Sequence, residues 1–423
     1  MKNRCLYIIL GLLFPFMLFP QTPRITMEVT VETGTRINLR IEADPDDMAQ
    51  IVMQGITIVN RAYIVNDQKI VIEGKVKRLS CRYAGLTSLD ISQNQGLIYL
   101  DCSNNELTTL DVSKNTALEL FFCDNNKLNA LNVSQNKNLT YLSCSQNDLK
   151  SLDVSKNMNL VSLICNNTQI KKLNLSQNNK LEYLNCSNSR LKALNVLKNQ
   201  QLINLICKDN KLTKLNVSPN KSLNVLNCNN NKLTVLNLDG NENLVTLDCG
   251  SNPLSGLNLS NNKNLKDLLC KDVRLKEIDI SNNDSMVYLD CSENQLAKLN
   301  LSKLSQLTYL DCSANNLTSL DLSANKVIGF VGLYGNEFSA CEIDNLFKQL
   351  PDRKSIDLGR IVLKYDEISL PGTDGCREYI ATEKNWEVSS IFLEPCGDED
   401  HGDFHYHNIA QEISNIGNYL CSE

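Results

Sequence analysis

Histidine is nearly missing from this chain: three occur in 423 residues, and all three lie between positions 401 and 407. Before residue 401 no Ser-His or Cys-His dyad can form, because such a nucleophile needs an adjacent imidazole base. A phosphate-cradling glycine loop, a dinucleotide fingerprint and an HExxH zinc motif are missing as well. A large excess of charge of one sign is absent too: 42 basic residues face 48 acidic ones, a formal net charge of −6 that is mild for this length. Nucleic acid is therefore not an expected partner. The one long apolar run, CLYIILGLLFPFMLFP behind Lys2 and Arg4, is too short to span a bilayer comfortably. It reads as a signal peptide over residues 1–21, cleaved near Gln21, with no stable membrane span left afterwards. Cys5 precedes the apolar core and so is not a lipid-attachment cysteine of the usual bacterial kind.

Cysteine, by contrast, returns every 21 residues from Cys81 to Cys312, twelve times without a slip, and Leu333 takes the slot in a thirteenth copy. In an ordinary globular domain each position has its own surroundings, and nothing would force one residue type to recur at a fixed interval. In a stacked solenoid every copy meets the same neighbours. The rest of the rung repeats too. Two residues before the cysteine slot stands Leu in eleven of thirteen copies, with Phe121 and Val331 as exceptions, and ten residues after it always Val, Leu or Ile. Asn usually follows three residues after the cysteine, and thirteen after it Asn occurs in eleven of twelve copies, broken by Leu304. The rung reads LxxLxCxxNxLxxLxVSxNxx. Its two phrases, LxCxxN and LxVSxN, each alternate apolar and polar residues at the period of a short strand. The expected fold is a β-rich solenoid of 21-residue rungs with short parallel strands on both faces.

The motif LxxLxCxxNxL resembles a leucine-rich repeat. With cysteine at a core strand position, it is similar to the cysteine-ladder proteins of the internalin J type and to secreted leucine-rich-repeat proteins of Bacteroidetes-type bacteria. The resemblance spans residues 76–338 and implies an exported or surface protein that binds molecules of host or neighbouring cells. The cell-wall sorting motif of internalin J has no counterpart here, which leaves the mode of attachment open. Free cysteine behaves as a small hydrophobe, and parallel neighbours project side by side and bridge poorly. The ladder is therefore expected to be buried free thiols. The recurring Asn residues are expected to satisfy backbone groups at the corners.

Outside the array, residues 22–75 alternate apolar and polar residues around Gly34, with short strands in GITIVN, AYIVN and KIVIEG. This is a β cap for the open first rung. Residues 339–396 predict an α/β cap: a helix from Cys341 to Leu350 stopped by Pro351, a strand IDLGRIVLKY, a PGTDG turn and a second helix ending near Trp386. This segment resembles the C-terminal caps of the same family, including the PGT turn, Cys376 and the tryptophan. Cys341 with Cys376 and Cys396 with Cys421 are candidate disulfides. In the tail, residues 397–423, the run DEDHGDFHYH sets His401, His405 and His407 beside Asp398, Asp400 and Asp403. These histidines are the candidate ligands for zinc or another divalent ion, against the plainer reading of a solvated acidic tail.

Function rests on the outward residues. Three before the cysteine slot stand Tyr99, Leu120, Tyr141, Tyr183, Tyr288, Tyr309 and Phe330; one before it stand Phe122, Ile164, Ile206 and Leu269 among polar residues. Apolar side chains in a row on a solvated face mark a contact patch, although cross-strand packing selects tyrosine too. Tyr99, Leu120, Phe122, Tyr141, Ile164 and Tyr183 are the candidate ligand-binding residues. Asp290 and Asp311 share a column on adjacent rungs, as would suit a calcium ion, an acid/base pair or plain solvated carboxylates. A column of Asp and Asn in LDVS and LNVS is expected to dilute like-charge repulsion. The favoured reading is a non-enzymatic recognition protein for a protein or glycan partner. The alternatives are an enzyme of envelope polymers using paired carboxylates, and a spacer with no dedicated ligand.

Overall fold

In each rung, residues three, two and one before the cysteine slot form a three-residue strand. Twelve such strands run from Tyr99–Asp101 to Phe330–Gly332, each parallel to the next and in register, so that Leu100 pairs with Phe121 and Leu310 with Val331. The computed structural model describes residues 22–365 and 368–391. The middle residue of each strand, the cysteine and the leucines that follow point inward and form one continuous apolar column. Among these, Leu100, Cys102, Leu107 and Val112 are fully shielded from solvent. The fold class expected from the period holds.

The twelve ladder cysteines are all buried free thiols. Where geometry allows, the thiol donates to a carbonyl of the next rung: Cys102 Sγ to the Phe122 oxygen at 3.5 Å and Cys312 Sγ to the Gly332 oxygen at 3.4 Å. Cysteine fills the slot because it is small, apolar and a weak donor at once. Burial pushes the Cys165 thiol up to about 12 and raises its neighbours Cys144 and Cys186 well above the ordinary thiol value. A thiol so far from ionisation is neither a nucleophile nor a ready metal ligand.

One detail of the expected rung is corrected. A strand forms on one face only, apart from the first rung, where Leu86–Asp90 pairs antiparallel with the cap strand Arg24–Val29. Farther along the opposite face, the described residues show only an isolated bridge between Asn258 and Asp279. The backbone groups that would make a second ladder are already engaged. In Asp111-Val112-Ser113, the Asp111 carboxylate accepts the Ser113 N–H at 2.8 Å, while the Val112 carbonyl accepts Asn136 Nδ2 of the next rung at 2.8 Å. The same side-chain turn is made by Asn132, Asn216 and Asp321. Asp and Asn share this column because both offer an Oδ1 two residues before the amide it accepts.

The two asparagine ladders differ. Asn231 accepts the Leu212 N–H at 2.9 Å and donates to the carbonyls of Cys207, Cys228 and Asn229, so its amide is satisfied throughout. Asn199, in the second ladder, donates to Leu175 and Asn178, and its Oδ1 has no partner. The corner itself is turned by a residue that the sequence pattern did not single out. Two positions after every cysteine slot the backbone is left-handed, from Tyr83 at φ 53° through Asn125 at 49° to Ala314 at 50° and Gly335 at 66°. Asparagine is common there because it tolerates this region at little cost.

Both ends of the array are covered. Arg40–Glu42 lies antiparallel on Arg78–Ser80, closing the edge of the strand ladder, and Lys69–Glu73 and Val52–Gln54 extend the sheet built on Arg24–Val29. At the far end Gly359–Tyr365 runs parallel to Phe330–Gly332, and Trp386–Ile391 runs parallel to it in turn. The helix Ala340–Gln349 starts at Ser339, whose hydroxyl accepts the Glu342 N–H, and buries Ile343, Leu346 and Phe347. The expected second helix is a single turn, Tyr379–Thr382, and Trp386 opens a strand instead of closing a helix. The indole explains this: it is buried and donates to the Pro351 carbonyl at 2.9 Å, which fixes it between the helix end and the last strand.

Cys341 and Cys376 are separate thiols. Cys341 is exposed, while Cys376 is half-buried and donates to the Thr373 carbonyl at 3.3 Å. The signal peptide, the pair Cys396 and Cys421, and the histidines His401, His405 and His407 all lie outside the described residues. Among the described residues no helix is long and apolar enough to cross a membrane, and no cluster of three or more His, Cys, Asp or Glu side chains could hold a metal ion.

Candidate functional site on the strand face

Alternation along each short strand sends its first and third side chains to the outer surface, and the parallel register stacks each of them on its counterpart one rung away. On the first rungs this gathers a chain of contacts. The Arg78 guanidinium lies 4.5 Å from the centre of the Tyr99 ring, Tyr99 is 5.6 Å from Phe122, and Phe122 is 4.8 Å from Tyr141. The rings are tilted by 46° and 31°, so they pack as an offset series. Arg78 and Phe122 cover Tyr99, which is only 9% exposed. Leu120, Phe122, Tyr141, Ile164 and Tyr183 remain half-buried.

The structure thus brings Tyr99, Leu120, Phe122 and Tyr141 into one patch over three rungs. Ile164 and Tyr183 follow on the next two, separated from Tyr141 by Ser162 in the same column. Arg78 extends the patch at its N-terminal edge, and its signal in the sequence was only its membership of the tyrosine column. Two carboxylates flank the rings. Asp101 sits 3.5 Å from Arg82, and Asp124 accepts the Ser145 N–H at 2.9 Å and the Ser143 hydroxyl. Burial raises both carboxyls above their ordinary value, and burial together with the Asp124 charge raises the Tyr141 phenol. The patch is a partly dry, aromatic surface with Arg78 and Arg82 at its edge.

A second aromatic series lies at the other end of the same column. Tyr288 and Tyr309 stack at 4.2 Å and 5°, and Tyr309 and Phe330 at 4.4 Å and 4°. Three consecutive aromatic residues in one column were the signal for it. Beside it, Asp290 and Asp311 pair in register on adjacent strands. Each is committed to its own turn: Asp290 Oδ1 accepts the Ser292 N–H and hydroxyl at 3.0 and 2.6 Å, and Asp311 Oδ1 accepts the same two groups of Ser313. Burial, then the neighbouring Asp311 charge, pushes Asp290 up to about 6, and burial raises Asp311 as well. The geometry accounts for these two residues as turn formers that tolerate each other by holding a proton more readily.

A stack of 21-residue rungs, each with one parallel strand over a leucine-lined interior, is a leucine-rich-repeat solenoid. Among solved structures the chain is similar to the functional domain of InlJ from Listeria monocytogenes, which includes a cysteine ladder. The identity is 30% over 75% of this chain and 74% of that one, with a TM-score of 0.59. An internalin, InlF, from the same organism matches at 18% identity over 75% and 87% of the two chains, with a TM-score of 0.57. The leucine-rich-repeat domain of APL1B matches at 20% identity over 64% and 86%, with a TM-score of 0.56. The last two show the fold alone. No protein-family model matches the chain, and no curated protein matches it. The chain belongs to the internalin-type leucine-rich-repeat proteins that carry a cysteine ladder. Proteins on this scaffold serve interaction and recognition.

Proposed function

We propose that this protein is exported and recognises a protein or glycan on a host or neighbouring cell, through the strand face around Tyr99, Leu120, Phe122, Tyr141, Ile164 and Tyr183. The observation that carries this reading is the contact series Arg78, Tyr99, Phe122, Tyr141, an aromatic surface left half-covered on a rigid sheet. Aromatic residues and arginine dominate the energetics of recognition surfaces, the rings because they combine area with few rotamers and arginine because its planar head stacks and donates at once. Rungs that stack in register hold them in place, so little ordering entropy is lost on binding. Export rests on the apolar leader of residues 1–21, and a divalent ion at His401, His405 and His407 remains a separate proposal for the tail.

The test is binding of the fluorescently labelled protein to cultured host cells and to co-resident bacteria. Tyr99→Ala, Phe122→Ala and Tyr141→Ala combined should remove binding while circular dichroism keeps the solenoid signature. Because Tyr99 is nearly buried, Phe122→Lys with Tyr183→Lys serves as a second variant that leaves it in place. Full binding by both variants would refute the assignment.

A further inference from the structure

A groove of about 650 Å³ opens on a different surface, beyond the first corner of the rungs, lined by Lys171, Lys172, Arg190, Lys192 and Lys211 together with Leu173, Ala193 and Asn195. The five cations come from three consecutive rungs and occupy equivalent places. Arg190 and Lys211 stand four residues after their cysteines, Lys171 and Lys192 six, and Lys172 seven. All five are exposed. None of them forms one of the ion pairs found among the described residues, whereas two rungs earlier the same column pairs Lys127 with Glu106 at 3.1 Å. The columns continue the positive stripe with Lys150 on one side and Lys214 and Lys232 on the other. The nearest acid in them, Asp148, accepts from Gln169.

A chain of net charge −6 that concentrates unpaired cations on one groove has segregated them. Their mutual repulsion is a cost that an anionic occupant would relieve. Two features decide what kind of anion fits. The cations recur once per rung along the long axis, at the strand spacing of roughly 4.8 Å, which matches a linear polymer with regularly spaced charges rather than a single small ion. The groove floor is Leu173, Ala193 and the aliphatic stems of the lysines, with no aromatic ring among the lining residues. Sequence-tolerant binding of single-stranded nucleic acid depends on aromatic stacking platforms, whereas the C–H faces of sugars need only an apolar shelf. We propose that this groove is a second binding site, for a linear acidic polysaccharide running along the solenoid axis.

The site shares no residue with the aromatic face, so the two readings stand or fall apart. Binding of the full protein to immobilised heparin, hyaluronan, neutral dextran and a dT oligonucleotide would be measured at low and physiological salt. The expected result is salt-dependent binding to heparin, weaker binding to hyaluronan and none to dextran. The variant Lys171→Gln, Lys172→Gln, Arg190→Gln, Lys192→Gln should weaken heparin binding about tenfold or more. A control matched in charge, Lys114→Gln, Lys156→Gln, Lys263→Gln, Lys303→Gln, all exposed and outside the groove, should leave it unchanged. Equal retention of the groove variant and the parent, no binding to either acidic polysaccharide, or tighter binding of the oligonucleotide would each overturn the proposal. The exposed substitutions leave the core untouched, and an unchanged melting curve verifies that the variant is folded.

Discussion

Gly359 makes room for Trp386. A Cβ placed on this glycine would lie 2.5 Å from ring atom Cδ2 of the indole and 2.7 Å from Cε2, closer than any real contact. The glycine has an ordinary backbone conformation, so the constraint is space alone. Gly359→Ala should therefore evict the ring and break its bond to the Pro351 carbonyl, at a cost of about 2 kcal/mol or more. Trp386 is the one tryptophan of the chain, so its emission reports the cap directly. The expected outcome is a red shift on substitution, with the far-ultraviolet spectrum of the rungs retained.

Ala314 sits in the left-handed column at φ 50° without the excuse of a glycine or an asparagine. An L side chain there carries a steric cost of about 1 kcal/mol. Ala314→Gly should raise the stability of the twelfth rung by up to about 1 kcal/mol, and Asn125→Ala should lower that of the third by a similar amount. Asn125 also donates to Asn104 Oδ1 at 2.9 Å, a bond lost in the second change. Urea titration of both variants distinguishes relief of strain from a general effect of small residues, which would move both in one direction.

Asp248 gives a pH dependence of definite sign. Burial pushes its carboxyl from 3.8 up to about 6, against the hydrogen bonds from Asn229 and the Gly250 N–H. A raised carboxyl binds its proton more tightly in the folded state, so stability falls as pH rises from about 4 to 6 and stays low above. Asp290 acts in the same direction. Asn185 and Asn227 make the equivalent turn in their rungs, so Asp248→Asn keeps the structure and removes the charge. At pH 7.5 the variant should be more stable by on the order of 1 to 2 kcal/mol, with the difference fading towards pH 4. A constant difference across that range would contradict the assignment.

The cysteine ladder predicts a step in thiol reactivity. In the native protein a small disulfide reagent should find exposed Cys341 and half-buried Cys376 but none of the twelve ladder thiols, which react only on unfolding. Cys207→Ser should cost about 1 to 3 kcal/mol, because the new hydroxyl is buried among leucines, and Cys207→Ala somewhat less.

What the sequence made legible follows from the repetition itself. Cys102, Leu107, Asn126 and Val112 meet the same neighbours as their copies 21 residues away, so a recurring residue type exposes a recurring environment. Alternation suggests a strand on the second face but does not show where backbone bonds go, and there the Asp111 and Asn136 side chains claim them. The left-handed column was hidden because Gln146 and Asp209 interrupt its asparagines and Ser251, Asp272, Glu293 and Ala314 replace them after Asn230. The strand position of Trp386 is not legible locally because its partner, Pro351, lies 35 positions away. The outer patches were legible only by column: Arg78, Tyr99 and Phe122 are far apart in sequence yet touch in space, and the lysine groove emerges only when rungs are laid over one another.

Bonds between rungs join residues 19 to 22 or 24 positions apart, as in Leu212 with Asn231, Cys102 with Phe122, Asn104 with Asn125, Asn138 with Thr116, and Asn231 with Cys207. Removing or duplicating one whole period in the middle of the array therefore returns each donor to an equivalent acceptor, and the two terminal caps still meet the ends they fit. A lineage carrying this gene can lengthen or shorten the molecule in single steps without redesigning its interior. The span of the molecule can thus change independently of the chemistry each outer patch presents.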